Sequence, residues 1–280
     1  MSDTRVQEAP LRVVPTALIT RPWRSLGGRG SLHLVERHAR VGRHLWLMVA
    51  SGIGEPLFYL LSVGVGIGHL VGTVAGPDGR PVAYAAFVAP ALLATSAMNG
   101  AIFDSTFNVF FLLKYAKVYE ATLSTPMRPQ DVALGQVTWA VLRGALYASA
   151  FTLVMLVMGL LRSPWAVLVL PTAVLTSFAF AAVGMAATTF MRSWQDFEYV
   201  TLVSVPLFLF STTFFPLSVY PGWAAVLVQI TPLYQSVTVM RALALGTVSP
   251  GLLWHVAYLG VMGVTGLYVA GRRVGRLLLT

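Results

Sequence analysis

The sequence predicts an all-α integral membrane protein. It has six membrane-spanning helices, an amphipathic helix ahead of them, a short cytoplasmic helix on one loop and a re-entrant helical hairpin on the outer face. Three observations carry that expectation. Hydrophobic residues make up 56% of the 280 and charged residues 10%, where a soluble domain carries about 25% charged. Mean hydropathy is +0.74, with several apolar runs near or above the ~20 residues that cross a bilayer. The charges flank these runs, so the net charge of +9 reads as positive-inside patterning and not as a nucleic-acid footprint.

Residues 1–30, rich in Arg, Pro and Gly, are expected to be a poorly ordered cytoplasmic N-terminus. No apolar core followed by a small-residue cleavage site occurs in the first 45 residues, so a cleaved signal peptide is not expected. Residues 31–280 form one membrane domain. Its first stretch, "SLHLVERHARVGRHL" at 31–45, puts Leu32, Val35, Ala39 and Gly42 or Leu45 near one helical face. Arg37, Arg40, Arg43 and three histidines spread over the rest. Such a helix lies on the inner membrane surface, or it is the solvated start of the first span.

The spans are expected at about 47–71, 83–113, 132–161, 165–191, 197–217 and 252–271. Glycines at 64, 66 and 68 suit close helix packing in the first. Residues 220–246 hold two apolar stretches separated by Thr231-Pro232. Each is too short to cross, so each reads as re-entrant or interfacial, and together they read as a short hairpin dipping into the outer face. Six spans put eight arginines of the N-terminal segment on the cytoplasmic side, with Lys114, Lys117, Arg128, Arg192, Arg272, Arg273 and Arg276. Only Arg80, Arg162 and Arg241 fall outside. Both termini are then cytoplasmic.

Several chemistries are excluded. The chain has no cysteine, hence no disulfide or thiolate chemistry. Neither lysine follows a glycine, so no phosphate-binding loop exists. The five histidines show no metal-ligand spacing, and no HExxH or GxSxG occurs. No catalytic or metal site and no cofactor is expected in this chain. The loop "QDFEY" at 195–199 reads as a solvated turn.

Ionisable groups inside spans carry more weight, because each costs at least ~2.5–3.5 kcal/mol to insert. Glu55 precedes Pro56 in the first span, Asp104 and Asn108 share a face of the second, and Arg143 lies in the third. They line a polar path or pair, Arg143 with Asp104 for example, or they sit near the inner interface on helices that project beyond the bilayer.

One stretch interrupts the apolar pattern: "KYAKVYEATLSTPMRPQDV", residues 114–132. Pro126 and Pro129 prevent a single helix from running through it. Tyr115 to Leu123 can form a short helix with Tyr115, Val118, Tyr119 and Thr122 on one side and Lys117 and Glu120 elsewhere. A mere connector needs only a few residues, so a helix held below the membrane suits docking of a soluble partner.

"VYEATLSTPMRPQDVALGQ" resembles the cytoplasmic loop of type-two ABC exporter permeases, with Glu, small residues, Leu and Thr-Pro in the family's order. The family often has Arg-Glu-x-Gly before it. "KYAKV" stands here instead and is similar to the subgroup of lipo-oligosaccharide (Nod factor) exporter permeases. "EPLFYLLSVGVGIG" (55–68) resembles that subgroup's first span. "FLFSTTFFPLSVYPGW" (208–223) and "PLYQSVTVMRALALG" (232–246) resemble its fifth span and outer hairpin. The likeness covers about 31–275.

The resemblance implies a six-helix half-transporter of a bacterial inner membrane. It would pair with a second copy or a related permease, above two copies of a separate ATPase that bind ATP and Mg. Tyr115, Lys117, Val118, Tyr119, Glu120, Leu123, Thr125 and Pro126 would form the coupling segment, and 31–45 the interface helix. The cargo would be an amphipathic lipid, glycolipid or hydrophobic drug. Alternatives from other classes are an ATP-independent secondary transporter or channel, and a membrane-embedded lipid enzyme. The last lacks a visible catalytic cluster.

Overall fold

The structure, a computed structural model, describes residues 35, 36, 54, 57–115 and 129–279. The expected interface helix at 31–45, Glu55, and all of the expected coupling segment except Tyr115 lie outside the described residues, apart from helical Val35 and Glu36.

Helix α1 covers Leu57–Val71 and is π-wound over Leu60–Ile67. Gly64 faces Ala85, whereas a methyl group at Gly66 would meet nothing, so close packing is confined to the first of the three glycines. A two-stranded hairpin follows, β1 (Thr73–Ala75) antiparallel to β2 (Pro81–Ala83), with Val74 opposite Val82. Gly79 at φ 76 closes its turn, which suits the Pro-Asp-Gly order there.

Among the described residues four helices are long and apolar enough to cross a membrane: α2 (Tyr84–Lys114), α3 (Pro129–Val157), α4 (Pro164–Thr188) and α8, whose apolar part is Leu252–Leu277 of Leu252–Leu279. α4 is the hub and packs on α8, α3 and α2. At Gly266 of α8 the α4 backbone comes so near that a Cβ would sit 2.8 Å from Ala182 C and Val183 N. Small residues permit such approach where apolar side chains gain nothing over lipid. Ser163 caps α4, accepting from the Trp165 amide at 3.2 Å, with Pro164 in the first turn.

The fifth expected span, 197–217, is different. Helix α5 stops after 14 residues, Phe197–Phe210, about 21 Å at 1.5 Å per residue and short of a ~30 Å hydrocarbon core. Residues 211–216 continue without helical structure to a 3-10 turn, Leu217–Val219. α5 is tied to the rest of the described residues mainly at its start, where it packs on the turn Trp194–Asp196 and Phe197 meets the rings of α2, and through Phe208, which meets Tyr59 and Phe214.

The hairpin comprises α6 (Gly222–Ile230) and α7 (Pro232–Leu245), each too short to span. Thr231 caps α7 by accepting from the Tyr234 amide, Pro232 opens it and Gly246 at φ 86 ends it. α7 is not interfacial: it packs into α2, α8 and α4. Its end lies by the α3–α4 connection, where the Arg162 amide donates to Ala244 O at 2.9 Å. Its start points into the bundle, with Thr231 Oγ1 3.0 Å from Ser211 Oγ.

Candidate functional site: polar groups within the bundle

Two arginines are held inside the bundle. Arg143, on α3, donates from Nη1 to Asp104 Oδ1 at 2.5 Å and from Nη2 to the Tyr147 hydroxyl at 2.7 Å. Asp104 is 3% exposed and opens a π-helical turn, Asp104–Asn108, inside α2. Such turns interrupt α-helices at sites where a side chain must be re-aimed. Asp104 Oδ2 and Arg143 Nε have no hydrogen-bond partner among the described residues. Asn108 is half-buried and not joined to the pair, because π winding alters the angular spacing that would stack residues four apart.

The second arginine, Arg241, counted with the outer-side charges of the hairpin, is 6% exposed within α7. Its Nε donates to Phe87 O at 3.0 Å, Nη2 to Thr212 O at 2.7 Å and Nη1 to Thr212 Oγ1 at 3.4 Å. The guanidinium also lies 3.7 Å from the centre of the Phe87 ring. Ser211, Thr212 and Thr213 are buried, and Thr212 has φ 58. Non-helical backbone at membrane depth is tolerated only where protein satisfies its polar groups, and Arg241 supplies that partner at the break after α5. A charge inside an apolar 14-residue stretch was the available signal.

Gln235 and His255 form a further polar contact between α7 and α8: Gln235 Nε2 donates to Gln229 O, and its Oε1 meets His255 Nδ1. None of these clusters presents a nucleophile with a base. Among the described residues no group of three or more His, Cys, Asp or Glu is placed to hold a metal.

One end of the bundle gathers the C-terminal ends of α4 and α8 with the start of α3. Arg273 Nε donates to Thr189 Oγ1 at 3.2 Å and its guanidinium sits 3.7 Å from the Phe190 ring centre. Gly275 lies against Pro129. Lys114, Arg192, Arg272 and Arg276 belong to these same chain ends. Asp196 Oδ2 accepts the Arg192 and Ser193 amides at 2.6 and 3.1 Å, which holds its carboxyl below the ordinary range. Phe107 stacks on Phe197 at 4.2 Å, and Phe110 meets Phe197 at 5.1 Å and Trp194 at 6.3 Å. Tyr115, exposed, extends this ring cluster through Phe110 at 6.1 Å and Phe111 at 5.9 Å.

Long apolar helices, buried intramembrane charge and backbone breaks sealed by side chains define a multi-pass membrane protein of the transport class. The pattern of the family described as ABC-2 type transporter matches residues 34–245, and the chain belongs to that family. It is 32% identical over 228 residues to nodulation protein J of Rhizobium leguminosarum bv. trifolii, covering 81% of this chain and 85% of that one. It is 32% identical over 200 residues to nodulation protein J of Rhizobium meliloti, covering 71% and 74%. With the nodulation protein J of Sinorhizobium fredii it shares 31% over 233 residues, covering 83% and 87%. The chain is therefore an ABC transporter membrane subunit.

Proposed function

We propose that this chain is the six-crossing permease half of an ATP-driven exporter in a bacterial inner membrane, with both termini cytoplasmic. A separate ATPase subunit, two copies per complex, binds ATP and Mg and powers a permease dimer. The cargo is an amphipathic lipid, glycolipid or hydrophobic drug moved outward. In this reading the four long crossings are joined by α1, as the described part of the expected span 47–71, and by α5 completed through the irregular 211–216. The basic end faces the cytoplasm by the positive-inside rule.

The observation that carries the coupling is the ring train from Tyr115 through Phe110 to Phe197 and Trp194. It joins the residue that enters 116–128 to the start of α5, the helix with the fewest ties to the bundle. A push on Lys117, Val118, Tyr119, Glu120 and Leu123 from below would reach α5 through edge-to-face rings, with Thr125-Pro126 stopping the helix and Arg37, Arg40 and Arg43 bracing the interface. Aromatic pairs resist shear because each is worth about 0.5–1.5 kcal/mol beyond its area.

The test is charge reversal at Glu120 and Gly at both Thr125 and Pro126, in the complex with its ATPase. Retention of the ATPase on the permease, hydrolysis rate and amphiphile efflux are the three readings. Weakened retention, or hydrolysis without efflux, is expected while membrane insertion persists. Wild-type values in all three would reduce the stretch to a connector.

A further inference from the structure

We propose that the groove between α4 and α5 binds one single-chain amphiphile with an anionic head, its tail lying along the groove and its head at Arg192. The cavity measures about 870 Å³, within the range of sites that take ligands of lipid or drug size. It exists because α5 is held at Phe197 and at Phe208 and makes little close backbone packing with α4 between them. The α4 wall is Phe180, Val183 and Ala187, with Phe190 in the turn just after it, and the α5 wall includes Val203 and Leu207. Phe180 to Thr188 rises ~12 Å and the turn to Phe190 extends the wall further, to about half of a ~30 Å hydrocarbon core. The groove is therefore one leaflet deep, which is the reach of one acyl chain. Its inner limit is Pro232, at the submerged start of α7.

The charged groups gather at the other end, where Arg192, Ser193 and Asp196 line the mouth, while Thr106, whose hydroxyl donates to Ile102 O, and Ser204 are uncharged polar residues of the lining. Asp196 is engaged by two backbone amides. No carboxylate among the described residues lies within ion-pair distance of the Arg192 guanidinium. Arg273 adds a second cation, stacked on the Phe190 that lines the groove. Two arginines against one committed carboxylate favour a phosphate or carboxylate head. Occupancy of the groove stands apart from the export reading; only its use as the cargo's entry rests on that reading.

The experiment uses the full chain in phosphatidylcholine nanodiscs. The probe is a lysophosphatidic acid with a diazirine in its tail, compared with a monoacylglycerol of the same tail. Labelling is expected at Val203, Leu207 or Met262, saturable and displaced by unlabelled lysophosphatidic acid. Ala187→Trp and, separately, Val203→Trp fill the groove from positions already exposed and should each cut labelling about tenfold, the effect of ~1.4 kcal/mol. R192Q should lower labelling by the phosphate probe and leave the neutral probe unchanged. Non-saturable labelling spread equally over Leu153 and Leu156 of α3 would mean bulk lipid and overturn the proposal. A disulfide between two copies carrying Val203→Cys, with labelling lost, would give the groove to a second chain and overturn it equally. With the ATPase present, efflux that survives A187W while labelling is lost would remove the groove from the cargo's route and leave export standing. Saturable labelling without any efflux would keep the groove and sink the export reading.

Discussion

Arg143 on α3 and Asp104 on the π turn of α2 form an ion pair at 2.5 Å, with the carboxylate almost wholly buried. The pair leaves one carboxylate oxygen and one guanidinium nitrogen without partners, so each charge depends on the other. Removing one partner of a buried pair costs about 3–5 kcal/mol, whereas an apolar replacement of both can be nearly neutral. D104N and R143M should each lower the thermal midpoint in detergent more than the double variant does. Additive losses in that cycle would show that the two side chains act independently.

Arg241 should behave as a structural clamp. R241M strands Thr212 O, a buried carbonyl whose lost partner costs about 1–3 kcal/mol. R241K restores the charge but not the fork that reaches Phe87 O and Thr212 at once. Both variants should speed hydrogen exchange at 211–216 while the middle of α4 stays protected. Lysine exchanging as slowly as arginine would remove the geometric argument.

The α4–α8 contact makes two glycines of one helix unequal. A methyl group on Gly266 strikes the Ala182–Val183 backbone at 2.8 Å, whereas one on Gly260 meets nothing within 4 Å. G266A should destabilise by about 1–3 kcal/mol through overpacking. G260A should be neutral or stabilising by up to about 1 kcal/mol through helix propensity. Equal midpoints for the two variants would contradict the close approach.

Asp196 predicts a pH dependence of the turn before α5. Its carboxyl is held below the ordinary range chiefly by the Arg192 amide and then by the Ser193 amide. A group depressed on folding stabilises fully above its unfolded pKa of about 3.9 and loses that contribution as pH falls through the folded value. Amide exchange at Arg192 and Ser193 should be flat from neutral pH down to about 4, once corrected for intrinsic rates, and accelerate below. D196N should show no such step, and a step above pH 5 in the native chain would assign it to another group.

Class and family were legible because they rest on one-dimensional quantities. Apolar run length, charge placement and the order of motifs around 114–132 and 208–246 do not depend on which helix touches which. The two short stretches either side of Thr231-Pro232 read as non-spanning from length alone, and α6 and α7 have that length. The β1–β2 turn is legible in "GPDG", but the strands it joins are not, because a three-residue strand leaves almost no period-two signal. What only the tertiary structure decided concerns where polar groups find partners. Arg241 counts as an outer-side charge along the chain, and nothing local shows that it is buried against Thr212, 29 residues earlier and just past the end of α5. Asp104 and Asn108 share a face by α-helical counting, yet the π turn separates their roles. Partner choice of this kind depends on contacts between elements distant in sequence, and no local pattern encodes them; the cost of an unpaired polar group in hydrocarbon selects the arrangement only once the helices are packed.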